Sequence, residues 1–260
     1  LGLLKRVSDS GINIRDVAGM SNAELRQISS ETEGLVSADH RPDFSGELAR
    51  VPDIHLEDCL NAARYFDQMK LEYALVNAAT VFSQSELLDQ VIIPLTVQVG
   101  DLWEKEQFSI GNEHLVSAVL RTFLENCRAK YKPFQGSTRI IITTPTKHKH
   151  ELGAQMAATT AAAAGWEVIY LGPDLPGNEI AQAARETRAH VVAVSLVYPP
   201  GNPDVEGELR VLRELLPDRI RIFAGGAGCP TYLETLQKIH AQIFSTIAEF
   251  RQYLYRDSLA

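Results

Sequence analysis

From Arg139 onward the chain alternates short, apolar, β-branched or aromatic runs with longer runs at helical spacing, and this alternation restricts the fold more than any other feature. Strands are expected at 139–142, 167–171, 191–196, 221–224 and 242–245. Helices are expected between them at 151–164, 178–187, 205–216 and 232–241, with a last one at 247–255. Strands in this order pair in parallel only if each crossover packs on the sheet, so 137–260 is predicted to be a five-stranded parallel α/β sheet covered on both faces. Such sheets bind ligands at the carboxyl ends of their strands. Three segments fall there: His148-Lys149-His150 after the first strand, Ser195 at the end of the third, and Gly225-Gly226 after the fourth.

Upstream, apolar residues recur at helical spacing in Leu56-Leu60-Ala63, Tyr73-Val76-Ala79-Val81, Leu87-Val91-Leu95-Val99 and Leu115-Val119-Phe123. These runs predict a bundle of about four helices over 53–132. Before it, 35–52 turns to Ser, Asp, Pro and Gly without periodicity and reads as a linker ending near Pro52. Residues 1–34 carry two short helical patterns, Leu3-Leu4-Lys5-Arg6-Val7 and Ser21-Asn22-Ala23-Glu24-Leu25, the second opening with a capping box. A chain of 260 residues can bury two cores. Its net charge of −8 argues against unaided binding to nucleic acid or an anionic membrane, so any DNA contact needs a local basic patch. Cys59, Cys127 and Cys229 form no C-x-x-C and leave an odd one over, which indicates neither a disulfide framework nor a zinc site. No apolar run approaches the ~20 residues that span a bilayer, and no secretory signal pattern opens the chain. A cytoplasmic protein with no membrane partner is expected.

An imidazole at the turn between a first strand and its helix can ligate a metal, which makes His150 the leading metal-binding candidate. Forty-one residues separate Gly153 from Ser195 in Ser195-Leu196-Val197, and twenty-seven separate Val197 from Gly225-Gly226. These intervals resemble the cobalamin-binding signature D-x-H-x-x-G, S-x-L, G-G, with His148 in place of the Asp and Val197 in place of the second Leu. The resemblance implies a flavodoxin-like, Rossmann-type domain in which His150 replaces the internal benzimidazole as cobalt's lower ligand. The displaced nucleotide tail would then run past Gly153, Ser195, Val197, Gly225 and Gly226. The two glycines leave room for a bulky group, and Ser195 offers a hydroxyl. A ligating His is normally oriented by an acceptor on its other ring nitrogen. In the family an acid two residues upstream does this, and here a neutral His148 is the candidate. Taken singly, the Lys-His-Lys-His run is also explained as a solvated turn, Ser195 as a strand-end hydroxyl, and Gly225-Gly226 as a tight turn. Only the set is specific.

A second pattern lies in the helical region, where nine residues separate Trp103 from Glu113-His114. It resembles the upper-face motif of the CarH-type, MerR-family cobalamin photoreceptors. In that family the Trp packs over the adenosyl group and the Glu-His pair lines the same pocket. An ordinary core aromatic and a charged first turn are the competing explanations. In the best-known members a His follows the Trp and takes cobalt's upper face after illumination. Glu104 stands there instead, leaving water, His114 or no protein ligand as the alternatives. Residues 3–28 resemble the end of a MerR-type DNA-binding domain, whose winged-helix portion is absent. Either the chain is truncated or it signals by association rather than through DNA.

Three readings follow. The first is a sensor that binds adenosylcobalamin in the dark and changes conformation or homo-oligomeric state on photolysis, without being an enzyme. The second is a corrinoid carrier of a methyltransferase system, against which His148 and the Trp motif count. The third is a photoreceptor that pairs cobalamin with a non-covalently bound bilin such as biliverdin.

Overall fold

The computed structural model describes residues 44–197 and 201–257. The expected helical patterns of 1–34 lie outside the described residues. The chain divides into two compact units, Leu1–Ala49 and Arg50–Ala260, and apart from the start of the first helix the architecture below is that of the second.

Helix α1 (Phe44–Arg64) already begins inside the stretch read as linker and carries Pro52 within it. A proline inside a run is normally a break, because it removes an N–H and crowds the preceding turn. That signal placed the start of the helix too late. Helix α2 (Gln68–Val81) starts at Asp67, whose side chain accepts from the Lys70 N–H at 3.0 Å. Its core face is Leu71, Ala74, Leu75 and Ala78. The sequence run assigned here chose the wrong face: Tyr73, Val76 and Val81 are exposed. Leucine and small alanines, rather than the bulkier residues, let this helix approach its neighbours.

Helix α3 opens with a Ser83–Glu86 capping box and runs through Gln84–Leu87, a π-helical turn at Leu88–Ile92, and Ile93–Glu104. The turn lies just before Pro94, whose ring and missing N–H disturb a regular ladder. It also solves a phase problem. Leu87, Val91, Leu95 and Val99 are spaced by four, which in a pure α-helix drifts by about 40° per step, yet all four are buried. Helix α4 (Ile110–Ala129) completes the bundle.

The sheet contains β1 (Arg139–Thr143), β2 (Glu167–Tyr170), β3 (Val191–Ser195), β4 (Arg221–Gly225) and β5 (Gln242–Phe244), all parallel in the order β2-β1-β3-β4-β5. Helices α5 (Leu152–Ala163), α6 (Gly177–Glu186), α7 (Pro203–Leu215), α8 (Leu233–Lys238) and α9 (Ile247–Asp257) alternate with the strands. Side chains point alternately to the two faces. Ile140 and Ile142 thus pack with α5 and α9, while Ile141, Val192 and Val194 pack with α6, α7 and α8. The strand order reverses between β1 and β3, which opens a crevice at their carboxyl ends.

Helix α5 is buried on nearly every side. Ala154, Ala158 and Ala161 face the sheet, whereas Leu152 and Met156 extend the bundle core. The Thr159 hydroxyl donates to the Leu124 carbonyl of α4 at 3.2 Å. Among the described residues no helix is long and apolar enough to cross a membrane.

Candidate functional site

The loop after β1 carries Lys147, His148, Lys149 and His150 into the crevice region and ends at Glu151, the residue capping α5. Hydrogen bonds tie this loop to the segment after β2. Leu175 N–H donates to the Thr144 carbonyl at 3.1 Å, Asp174 N–H to the Thr144 hydroxyl at 3.0 Å, and Lys147 N–H to the Asp174 carboxylate at 2.7 Å. The Thr144 hydroxyl in turn donates to the His148 carbonyl. His150 is exposed on this anchored loop.

His148 is fully buried, at 0% exposure. Its Nδ1 accepts from the Val197 N–H at 3.1 Å, which leaves the proton on Nε2, 3.4 Å from the Tyr232 hydroxyl. Burial, and secondarily the neighbouring His150, hold its pKa below the usual imidazole value and favour this neutral form. The nitrogen expected to orient His150 is therefore engaged with the loop after β3. The Tyr232 hydroxyl also accepts from the Asn202 N–H at 3.0 Å. One buried His–Tyr pair thus cross-links the loops that follow β1, β3 and β4. Sequence reasoning missed Tyr232, whose only signal was a polar aromatic shortly after Gly225-Gly226.

The remaining rim residues converge on the same place. Ser195 ends β3 in register with Gly225. A Cβ on Gly153 would lie 2.9 Å from the Ser195 hydroxyl, so the first turn of α5 and the end of β3 face each other across a gap that only a glycine leaves open. Gly226 has φ +108°, and a Cβ there would approach the Leu196 carbonyl to 2.3 Å. The loops after β3 and β4 are in backbone contact at that point, with Gly228 N–H donating to Leu196 O at 2.8 Å. His148, Gly153, Ser195, Val197, Gly225 and Gly226 form one contiguous rim, whose glycines serve backbone packing as well as clearance.

The bundle end is built differently. After Glu104 the chain turns at Glu106 (φ 56°), and the N–H groups of Gln107 and Phe108 both donate to the Leu102 carbonyl at 2.8 and 3.0 Å. Phe108 is buried beneath the Arg64 guanidinium, 5.3 Å from its ring centre. Ser109 and Asn112 then cap α4, and the Asn112 amide donates to the Ala63 carbonyl at 2.9 Å. This compact turn sets the nine-residue interval. It leaves Trp103 on the last turn of α3 and Glu113-His114 on the first turn of α4, at the same end of the bundle. Trp103 is 50% exposed, which excludes the core-aromatic explanation. Glu113 accepts from Ser117 Oγ at 2.6 Å and lies 3.6 Å from His114 Nε2.

Helix α4 relates this end to the rim. Arg121 Nε meets Glu151 Oε1 at 2.6 Å where α5 begins, while Leu124 meets Thr159 further along α5. The two helices therefore descend together, and Glu113 lies on the rim side of Arg121, about 12 Å up α4. Cys59, Cys127 and Cys229 are free and buried. Burial pushes the Cys59 thiol up to about 12 and Cys229 to about 11, so neither is poised for covalent attachment.

Comparison with known proteins assigns both regions. Residues 138–248 match a family model described as a B12 binding domain, and residues 55–128 match a second model of the same description. The HTH-type transcriptional repressor CarH of Myxococcus xanthus is 26% identical over 242 residues, covering 93% of this chain and 78% of that protein. The chain contains a CarH-like cobalamin-binding region. Dimethylamine corrinoid protein 2 of Methanosarcina mazei is 22% identical over 162 residues, covering 59% of the chain and 74% of that protein. The structure of the Methanosarcina barkeri monomethylamine corrinoid protein matches with a TM-score of 0.59 at 16% identity, covering 80% of the chain and all of that one. A helical region followed by a five-stranded parallel sheet is thus the shared fold.

The cobalamin-binding region has donors that fit its cofactor. Among the described residues no group of three or more His, Cys, Asp or Glu could hold a bare metal ion. A metal already chelated by a macrocycle needs from the protein only an axial ligand, as haem iron does. The exposed His150 on the loop after β1 would be the imidazole to supply it, and the gap between Gly153 and Ser195 is one that a Cβ would fill.

Proposed function

We propose that this region is a light sensor that binds adenosylcobalamin between the bundle end and the sheet rim, with His150 as lower axial ligand. When bound, the cofactor supplies a cobalt–carbon bond that visible light can break. The observation that carries the reading is the half-exposed Trp103, held by a rigid turn at the same bundle end as Glu113-His114. Leaving a tryptophan out of the core forfeits its burial energy, and a ligand packed beneath it restores that burial. Illumination then alters what Trp103 and His114 pack against, and the signal is a change in conformation or homo-oligomeric state. Exposed Glu104 follows Trp103, which favours water or His114 over the adjacent residue in the light state.

A second reading, a corrinoid carrier passing methyl groups to a partner, is favoured by the similarity to dimethylamine corrinoid protein 2. The two readings separate in a single experiment. Visible spectra and sedimentation profiles of the adenosylcobalamin complex are recorded before and after green light, for the chain and for His150→Ala. Photoconversion with a changed profile is expected, together with loss of the His-ligated spectrum in the variant. Binding without a light-dependent change in either readout, and methyl transfer from the methylated protein to a thiol, would favour the carrier. Addition of biliverdin to the same sample tests for a bilin partner by a red-absorbing species.

A further inference from the structure

Glu151, next to His150, is held from two sides. Its side chain is only 11% exposed, and its two oxygens have separate partners: Oε1 lies 2.6 Å from Arg121 Nε on α4, and Oε2 accepts from the Tyr170 hydroxyl at 2.5 Å at the end of β2. Burial, followed by the bond to Glu151, raises the Tyr170 pKa, which keeps that hydroxyl protonated and donating. Arg128 lies two turns beyond Arg121 on the same helix, with its guanidinium 5.4 Å above the Tyr170 ring. One bundle helix therefore grips a single carboxylate–phenol pair at two points. That helix also carries Glu113 and His114 in its first turn.

We propose that Glu151 is a positioning residue that couples the docking of α4 to the orientation of His150, an inference that rests on the cobalamin reading above. Glu151 caps α5 with φ −102° and ψ −8°, so its backbone fixes both where the helix starts and where the preceding residue points. A buried carboxylate cannot keep that place without its counter-charge. If α4 moves, Arg121 leaves, Glu151 turns toward solvent, and His150 turns with it. The coupling is reciprocal: whatever ligation of His150 gains from a docked α4, docking gains from ligation by the same factor. A change on the upper face thus reaches the lower ligand through protein, without passing through the metal.

A second bundle-to-sheet ion pair supplies the control. Arg251 of α9 pairs with Asp89 in the π-helical turn of α3, on different elements from the His150 loop. The chain and its Arg121→Gln, Glu151→Gln, Arg121→Lys and Arg251→Gln variants are loaded with cob(II)alamin. The His-ligated fraction is read from nitrogen splitting in the electron paramagnetic resonance spectrum. Amide hydrogen exchange over 110–129 is followed in the same samples and in the cobalamin-free proteins. Arg121→Gln and Glu151→Gln are expected to lower the ratio of His-ligated to unligated cobalt about fivefold or more and to speed exchange in α4. Arg121→Lys should recover part of both effects. Arg251→Gln should leave the ligated fraction unchanged. An unaltered fraction in Arg121→Gln and Glu151→Gln, or an equal loss in Arg251→Gln, overturns the proposal. Should the unmodified chain bind cobalamin without any His ligation, the assignment of His150 fails. The coupling partner then fails too only if exchange in cobalamin-free Glu151→Gln matches that of the unmodified chain.

Discussion

At the sheet rim each loop is tied to its neighbours, whereas at the bundle end the three residues of the motif stand on helix termini with side chains partly or largely exposed. His148 bonds to the loop after β3 and lies beside Tyr232, and Gly226 lies against the Leu196 backbone. Trp103 and His114 are exposed, and Glu113 is bonded within its own helix. The rim is built before any ligand arrives. The bundle end is a hydrogen-bonded turn that presents Trp103 and His114 to solvent. Preorganisation on one side and exposed side chains on the other suit a site in which one wall holds and the other responds.

That contrast can be broken by substitution. Gly226→Ala should have the largest effect, because a positive φ and a carbonyl at 2.3 Å both oppose the new methyl; about 2–4 kcal/mol of unfolding free energy should be lost in urea titrations. A tolerated alanine would mean that the loops after β3 and β4 are not locked together. His148→Leu comes next. It leaves the part-buried Val197 N–H without its acceptor, and a loss of about 1–3 kcal/mol is expected. A neutral outcome would reassign His148 to simple filling of space. The smallest effect on stability belongs to Trp103→Ala, at most about 1 kcal/mol for a half-exposed side chain. The same variant should lose about tenfold in its preference for adenosylcobalamin over aquocobalamin, equivalent to ~1.4 kcal/mol. If Trp103→Ala instead costs as much stability as Gly226→Ala with no change in cofactor preference, the bundle end is core and the contrast collapses.

The five strands were legible in the sequence to within a residue or two because β-branched residues cluster where both faces of a parallel sheet are buried. The helices of the sheet domain followed from the same alternation. The second bundle helix was legible as a helix but not in its orientation. Tyr73 and Val76 outrank Ala74 and Ala78 in hydrophobicity, and a single sequence cannot show that a close-packed interface selects small residues. The rim motif was readable as a set of intervals. The partner of His148 was not, because Val197 contributes a backbone N–H that has no signature in its side chain. Arg121 and Glu151 lie thirty residues apart on elements of different domains, and neither belongs to a recurring pattern.

The surplus residue in the π-helical turn at Leu88–Ile92 reaches further than its surroundings. A residue advances an α-helix by about 100° and 1.5 Å. With one residue fewer in that turn, Trp103 would keep its neighbours in sequence yet face a different compass bearing around the helix axis. The azimuth of the one aromatic expected to meet the ligand is therefore set about three turns away. The setting lies in a backbone irregularity beside Pro94, where no contact with that ligand is needed to change what the protein presents to it.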